Sequence, residues 1–246
     1  MARQCDRIFL KGGYALYQDS ELYRFSLDSV LLSDFITVKK HQKVIELGCG
    51  NGAVLLMARS HTDETPSFTG IEIQTDNAKL AQESIQLNNL NNITIINDDL
   101  RDIHKKIGAN QFDVVLFNPP YFEEGRGQKK DNVSFATARH EGETTLEDYV
   151  KESQALIQDS GKLYVVYRAE NLVKLIMVLE KYHFGIKKLR FVYTKEDDPE
   201  ALLVLVEAAF HRISNLKVLP PLYINKRDTK ERTYTEEAYD ILNGRQ

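Results

Sequence analysis

The segment from residue 112 to residue 117 most constrains how this chain can fold. It is short, apolar from Val114 onwards and rich in β-branched residues. Such a run is typical of a parallel strand that is covered by helices on both faces. Asn118-Pro119-Pro120-Tyr121 follows it directly. Because α/β sheets bind ligands at the carboxyl ends of their strands, the pattern predicts a ligand site at these four residues.

The residue types in this motif suit chemistry on a planar amine. Such a nitrogen is a poor nucleophile because its lone pair is delocalised into the attached π system. The Asn118 side-chain oxygen and the Pro119 carbonyl could accept from its two N–H groups and free that lone pair. Pro120 would hold the carbonyls in one pose, and Tyr121 would offer a flat face for stacking. Taken alone, the motif is about as compatible with an extended turn that merely ends a strand.

A glycine-rich turn follows an earlier apolar segment. Residues 44–47 read as a strand, Gly48-Cys49-Gly50-Asn51-Gly52 as the turn, and the apolar residues after it as a helix. Glycines allow backbone N–H groups to approach a ligand closely. The dinucleotide fingerprint is not met, because Ala53 occupies the position of its third glycine. Glu46, two residues before the first glycine, is common in S-adenosylmethionine sites. The pattern favours that cofactor, with a dinucleotide as the second possibility.

Acidic residues end the next two predicted strands. Glu72, with Ile73 behind it, comes a little over twenty residues after the glycine turn, where a carboxylate would bind ribose hydroxyls. Asp99, with Leu100 behind it, follows the third strand, where an acid could accept from an adenine amino group. Singly, each acid could be a solvated residue or a helix cap. Their order on successive strands favours a nucleotide-like cofactor.

Together these features resemble the class I S-adenosylmethionine-dependent methyltransferases. The chain is more closely similar to the bacterial family that methylates N6 of the adenosine 3′ of the anticodon in a valine tRNA. Four segments carry this closer resemblance: 25–32, 138–141, 163–168 and 217–222. The resemblance implies a Rossmann-like α/β domain, with a mostly parallel seven-stranded sheet, helices on both faces and an antiparallel last strand. It also implies S-adenosylmethionine as the cofactor and tRNA as the substrate.

The motifs and the resemblance together assign the site residues. The expected catalytic residues are Asn118, Pro119, Pro120 and Tyr121. The expected cofactor-binding residues are Glu46, Gly48, Gly50, Glu72, Ile73, Asp99, Leu100 and Asn118. The expected substrate-binding residues are Phe25, Asp28, Tyr121, Arg139 and His140. A base-paired adenine cannot present N6 to a deep pocket, so we expect an unpaired or flipped base and a direct methyl transfer.

Three other functions share these motifs. Asn-Pro-Pro-Tyr also occurs in protein glutamine N5-methyltransferases and in DNA adenine N6-methyltransferases. The first usually carry a helical domain ahead of the sheet, which about forty preceding residues would not supply, and no target-recognition domain is evident for the second. A non-catalytic RNA-binding protein with a retained cofactor pocket is the third alternative, and the intact motif disfavours it.

The charge of the chain limits how it could hold RNA. A net charge of −4 over 246 residues excludes a generally basic surface, so RNA contacts must come from local basic patches. One such patch, from Arg126 to His140, lies in the polar segment 122–143 behind the catalytic motif. Long connections of this kind are often functional. This segment is expected to close over a flipped base.

The remaining composition predicts a cytoplasmic protein without a metal or a membrane partner. Cys5 and Cys49 offer neither a disulfide framework nor metal-ligand spacing, and no apolar run approaches membrane-spanning length. We expect one domain, with residues 1–40 as a lid over the cofactor, 41–210 as the core sheet and 211–246 as an extension. Helices are predicted near 26–35, after Gly52, and at 75–87, 145–158 and 171–182. Late strands are predicted at 161–168, 186–193 and 201–209, then a strand pair from Leu216 and a helix from Thr235.

Overall fold

The computed structural model describes residues 5–10, 12–19, 26–63, 65–120, 144–212, 215–227 and 233–243. Its strands are β1 (Cys5–Phe9), β2 (Ala15–Asp19), β3 (Lys43–Leu47), β4 (Ser67–Glu72), β5 (Ile93–Asn97), β6 (Phe112–Phe117), β7 (Ile157–Arg168), β8 (Phe184–Lys195), β9 (Leu203–Phe210), β10 (Lys217–Val218) and β11 (Leu222–Asn225). Its helices are α1 (Leu27–Phe35), α2 (Ala53–Ser60), α3 (Thr75–Leu87), α4 (His104–Ile107), α5 (Leu146–Leu156), α6 (Leu172–Lys181) and α7 (Glu236–Asn243), with a 3₁₀ turn at Ala169–Asn171.

One sheet organises the fold. Its seven long strands lie in the order β5-β4-β3-β6-β7-β9-β8, and β10 and β11 both pair with β8. Every pairing is parallel except those of β9, which runs antiparallel to β7 and to β8. The chain builds outwards from β3 in one direction and then from β6 in the other, so the strand order reverses between them. Ligands of open α/β sheets bind at such a switch point. The predicted Rossmann-like sheet is confirmed.

The central strands are covered on both faces. All eight residues of β9 are buried, and so are the last four of β3 and of β6. One face packs against α1, α2, α3 and α7, and the other packs against α5 and α6. Continuously apolar strands are stable only under such double cover. Both strands that flank the switch point are therefore fixed by the core.

Two helices begin at side-chain caps that the sequence supplies. Thr145 and Asp148 form a capping box, in which each side chain accepts from the other residue's backbone N–H. Thr235 Oγ1 accepts from the backbone N–H of Ala238 at 3.2 Å and so caps α7. These bonds satisfy backbone donors that a helix start leaves unpaired. The first cap fixes where the chain returns to the core after residues 121–143.

The amino-terminal residues contain a hairpin that the sequence analysis missed. Strands β1 and β2 form a separate two-stranded sheet. The backbone groups on the outer edge of β2 bind side chains of α3 and of Asn88, which follows it. Ser84 Oγ accepts from the backbone N–H of Tyr17, and Asn88 exchanges two hydrogen bonds with the backbone of Ala15. Asn51 of the glycine turn donates to the Tyr17 carbonyl at 3.4 Å. The hairpin therefore borders the predicted cofactor site, while its action as a lid stays a prediction.

The carboxy-terminal residues differ from the predicted strand pair. Strands β10 and β11 do not pair with each other; each pairs in parallel with β8 and extends the main sheet. The segment between them contains Pro220 and Pro221, which cannot donate ladder hydrogen bonds. Two short parallel strands on one edge result. Among the described helices, none is long and apolar enough to cross a membrane.

Candidate active site

The ends of four neighbouring strands form one row, which contains three of the predicted site residues. Strands β6, β3, β4 and β5 are neighbours, and the registers that align their ends are Phe117 with Leu47, Leu47 with Ile71, and Ile71 with Ile96. The residues that come next are Asn118, Gly48, Glu72 and Asn97. Adjacent strands in a sheet lie about 4.8 Å apart. Asn118 therefore stands directly beside the first glycine of the turn, and the predicted acceptor and cofactor motifs share one edge.

The glycine turn requires glycine for its backbone and for its packing. Gly48, Gly50 and Gly52 have φ angles of 70°, 54° and 81°, in the left-handed region that other residues rarely adopt. A Cβ at Gly48 would also lie 2.7 Å from Tyr149 Oη. Tyr149 is itself buried and its ring packs 5.1 Å from the ring of Phe117. The turn is thus held tightly against α5 and β6.

Glu72 braces the turn from the neighbouring strand. Its carboxylate accepts from the backbone N–H of Gly50 at 2.8 Å and of Gln74 at 2.7 Å. Burial raises the pKa of Glu72, and the backbone hydrogen bonds oppose that rise. One carboxylate therefore orients both the glycine turn and the start of α3. The side chain predicted to bind ribose is pre-oriented by the fold.

Glu46 is the most unusual group of the site. It is 2 % exposed, and its Oε2 atom has no hydrogen-bond partner among the described residues. Burial, and then the negative charge of Glu72, raise the pKa of Glu46 well above its ordinary value. Among the described residues, no cation offsets these two effects on Glu46, so a positively charged ligand donor would favour its ionised form. The neighbouring Cys49 is buried, and its Sγ would lie 2.6 Å from a Cβ at Gly70, so it acts as a small filler.

The third predicted acid has a partner within the protein. Asp99 accepts from the Arg101 guanidinium, with Nε 2.9 Å and Nη2 2.5 Å from Oδ2. Burial opposes ionisation of Asp99, but the hydrogen bonds from Arg101 outweigh it and lower the pKa. Leu100 is buried, whereas Ile73 is 56 % exposed at the edge of the row. An adenine bound here would contact the apolar Ile73 side chain and would share Asp99 with Arg101.

Two residues of this region, Asn97 and Tyr149, were given no role from the sequence. Asn97 donates from Nδ2 to the Glu72 carbonyl at 2.8 Å, so it braces the turn that carries Glu72. Tyr149 of α5 packs against Phe117 and against the backbone of Gly48. It belongs to no short motif, and only the packing of α5 against β6 places it at the site.

The substrate side is described in part. Asn118 is half-buried, Pro119 is buried and Pro120 is exposed, so the motif passes from the core towards solvent. Asp28 lies half-buried in the first turn of α1, which packs against α2 behind the glycine turn. The other predicted substrate residues lie outside the described residues, as does the loop 122–143: Phe25, Tyr121, Arg139 and His140. Their roles stay predictions.

Comparison with known sequences identifies a family and relatives that align with about three quarters of this chain. The methyltransferase small domain matches residues 24–191. A tRNA1(Val) (adenine(37)-N6)-methyltransferase of Haemophilus influenzae is 28% identical over 200 residues, which are 77% of this chain and 84% of that protein. The protein of the same name from Aliivibrio salmonicida is 25% identical over 186 residues, 75% of this chain and 77% of the relative.

Solved structures share the fold. A predicted O-methyltransferase from Agrobacterium tumefaciens superposes with a TM-score of 0.70 at 20% identity, covering 89% of this chain and 96% of that one. The M. jannaschii TYW2 structure in complex with AdoMet gives 0.59 at 17% identity, over 87% and 89% of the two chains. The glycine turn, the row of strand ends and the matched profile agree, and the chain belongs to the methyltransferase small domain family.

Proposed function

We propose that this protein transfers a methyl group from S-adenosylmethionine to N6 of an adenosine in tRNA, the one 3′ of the anticodon in a valine tRNA. The curated relatives that match most of the chain carry this activity in their names. Their identities of 25–28% leave the substrate as the part of the proposal that most needs a test. These named relatives point neither to a protein glutamine nor to a DNA adenine as the acceptor.

One observation carries the chemistry: Asn118 and Gly48 follow paired residues on adjacent parallel strands. The acceptor motif and the cofactor turn are therefore neighbours at the switch point of the sheet. In-line transfer requires the acceptor nitrogen to be in van der Waals contact with the methyl group of the cofactor, so the two sites must be adjacent. No other pair of strand ends in the described chain combines an acceptor-type motif with a glycine turn.

The residues of the row fit the cofactor. Glu46 offers a buried carboxyl oxygen that has no hydrogen-bond partner in the described part of the chain, which suits the ammonium group of the methionine part. Glu72 is oriented by Gly50 and Gln74 and suits the ribose hydroxyls. Ile73, Asp99 and Leu100 would contact the adenine. When bound, S-adenosylmethionine supplies a methyl group that its positively charged sulfur already activates.

The protein's own residues then orient the acceptor amine. The Asn118 side-chain oxygen and the Pro119 carbonyl accept from the two N–H groups of adenine N6, which favours a pyramidal nitrogen with its lone pair towards the methyl group. The burial of Pro119 keeps its carbonyl in one place. The amine becomes acidic only after methyl transfer, so the proton leaves late and needs no strong base. Tyr121 is proposed to stack on the base.

The proposal is tested by asking which polymer is methylated. Purified protein with S-adenosylmethionine carrying a labelled methyl group is offered total tRNA, genomic DNA and a protein extract in parallel. We expect label in tRNA, and mass spectrometry of the nucleosides should find N6-methyladenosine. The matched control is a valine tRNA transcript with guanosine in place of the adenosine 3′ of the anticodon, which should take up none. Label in a cytidine or guanosine, or in protein alone, contradicts the proposal.

A further inference from the structure

A buried carboxylate far from the cofactor turn holds two lysines in place. Glu207 lies within β9 and is 4 % exposed. Lys162 of β7 lies 3.1 Å from its Oε1, and Lys188 of β8 lies 2.7 Å from its Oε2. Each lysine side chain stays about one-third exposed. One carboxylate thus orders two ammonium groups, and the group of three carries a net positive charge towards solvent.

Further cations surround this group. A cavity of about 270 Å³ is lined by Lys162, Lys187, Lys188 and Lys217, with Glu207 as the one carboxylate that the described residues contribute. A second cavity of about 160 Å³ shares Ser160 and Lys162 with the first and adds Lys39. We call the two cavities together the basic groove. Arg212 also reaches it, because its Nε donates to Ser160 Oγ at 2.9 Å.

Three carboxylates also line the basic groove, and each has a contact within the protein. Asp113 accepts from the backbone N–H of Lys43 at 2.8 Å, and Asp159 lies 3.3 Å from His211 Nδ1. Glu207 is held by its two lysines; burial alone would raise its pKa, but their hydrogen bonds lower it. Among the described residues, five lysines line the two cavities against these three carboxylates, and Arg212 adds a sixth cation, so the groove carries a positive balance of charge. In a chain of net charge −4, this concentration of cations needs an explanation.

The position of the basic groove connects it to the proposed substrate. Lys162 pairs with Val114, four residues before Asn118. The groove therefore lies towards the amino-terminal ends of these strands, at the edge of the sheet opposite to Asn118 and roughly 13 Å from it at about 3.3 Å per residue. RNA whose loop enters at Asn118 would have to pass around the surface between the two edges, over a path longer than this straight distance. Contact between the groove and the same RNA requires a stem that continues along that surface.

We propose that the basic groove binds backbone phosphates of the RNA substrate, outside the loop that enters the active site. This inference rests on the proposed function for the identity of the RNA. Lysine ammonium groups bind phosphates as point charges and carry no sequence information. The groove thus supplies affinity and register, while the catalytic row selects the base. Binding through it releases counterions and so depends on salt.

The test measures RNA binding without cofactor, so that it does not depend on catalysis. A labelled anticodon stem–loop RNA is titrated with wild-type protein and with the double variant Lys39→Gln/Lys217→Gln, at salt concentrations from about 50 to 200 mM. Both lysines are exposed, so the fold should survive. We expect roughly tenfold weaker binding and a salt slope smaller by about 1 to 2. Lys79→Gln, exposed on α3, is the matched control and should change neither.

Three outcomes would overturn the proposal. The first is a double variant whose salt slope equals that of wild type, and the second is a wild-type protein that does not bind the RNA. The third combines two results: inorganic phosphate binds the groove directly, yet it displaces the RNA no better than chloride at the same ionic strength. The groove would then be a site for small anions and not for RNA phosphates. Because Asn118→Ala should keep the wild-type slope, a failure of methyl transfer is distinguishable from a failure of the groove.

Discussion

Two buried glutamates of the same sheet show how this protein treats charge differently in two regions. Glu207, in the β7-β9-β8 region, is held by two lysines, and its pKa is lowered. Glu46, in the cofactor region, lies beside a second carboxyl group, and its pKa is raised. Both are almost fully buried. The protein itself supplies the cations that pair with Glu207. At Glu46, where a ligand is expected, we expect the ligand to supply the positive charge.

The largest effect should come from the catalytic row. Asn118→Ala removes an acceptor that orients the amine, so kcat for methyl transfer should fall roughly 10²- to 10³-fold. The melting temperature should barely change, because Asn118 is half-buried at a strand end. Asn91→Ala, an exposed residue before β5, is the control. A near-normal rate in Asn118→Ala would remove the catalytic assignment.

Glu46→Gln tests the buried glutamate for which the described residues supply no cation. It removes the charge that a cationic ligand would meet, so the dissociation constant for S-adenosylmethionine should rise roughly 10- to 100-fold. The cofactor-free protein should keep its melting temperature or gain stability, because a buried carboxyl group with a raised pKa is costly to ionise. Calorimetry and thermal unfolding measure the two effects. If stability were lost and the affinity for the cofactor were unchanged, Glu46 would be a structural residue. It would then not differ from Glu207 in role.

Glu207→Gln tests the buried glutamate that is paired with two lysines. The two lysines would lose their counter-charge, and the free energy of unfolding should fall by about 1–3 kcal/mol, less than for a fully buried pair because the lysines are partly solvated. Urea unfolding measures this. Glu237→Gln is the control: it loses an ion pair with Arg190 in which the glutamate is 53% exposed, and should change stability by less than about 1 kcal/mol. Equal effects of the two substitutions would show that burial does not distinguish them.

The smallest effect is on pH dependence, and its sign separates the two glutamates. Glu207 has a lowered pKa, so its contribution to stability is present above the ordinary value of 4.5 and is lost as the pH falls through its folded pKa. Glu46 has a raised pKa, so its ionisation lowers stability as the pH rises above 4.5. A cationic cofactor binds the ionised form, and its affinity should increase severalfold over the same rise. In Glu46→Gln this dependence should be absent, as binding titrations across pH 5–8 would show.

The fold was predictable where local patterns agree with the sheet. The helix Thr75–Leu87 was predicted with its observed bounds, because its apolar spacing is regular. Strands β3 to β6 were predicted because each is an apolar run before a polar motif. The β1–β2 hairpin was missed, since its edge is satisfied by side chains of α3 about seventy residues away. Periodicity within a segment cannot report such a partner.

The candidate site also contains residues that the sequence predicted and contacts that it did not. Asn118, Gly48 and Glu72 were predictable because parallel strands bring their carboxyl ends to one edge. The contact of Tyr149 with Gly48 depends on how α5 packs against the sheet, and the Lys162-Glu207-Lys188 group depends on the register of β7, β9 and β8. The Arg101 partner of Asp99 is local, only two residues away, but no motif marks it. Side-chain pairing therefore needed the structure, while strand-end chemistry did not.

The shared register of β6, β3, β4 and β5 has a consequence for how this chain can tolerate insertions and deletions. Successive residues of a strand point to opposite faces, so adding one residue within β6 would turn its buried side chains over and move Asn118 out of line with Gly48. A residue added in a surface connection between these strands would leave the alignment intact. Length changes among natural or engineered variants should therefore concentrate in the connections, and the four strands should keep a fixed number of residues.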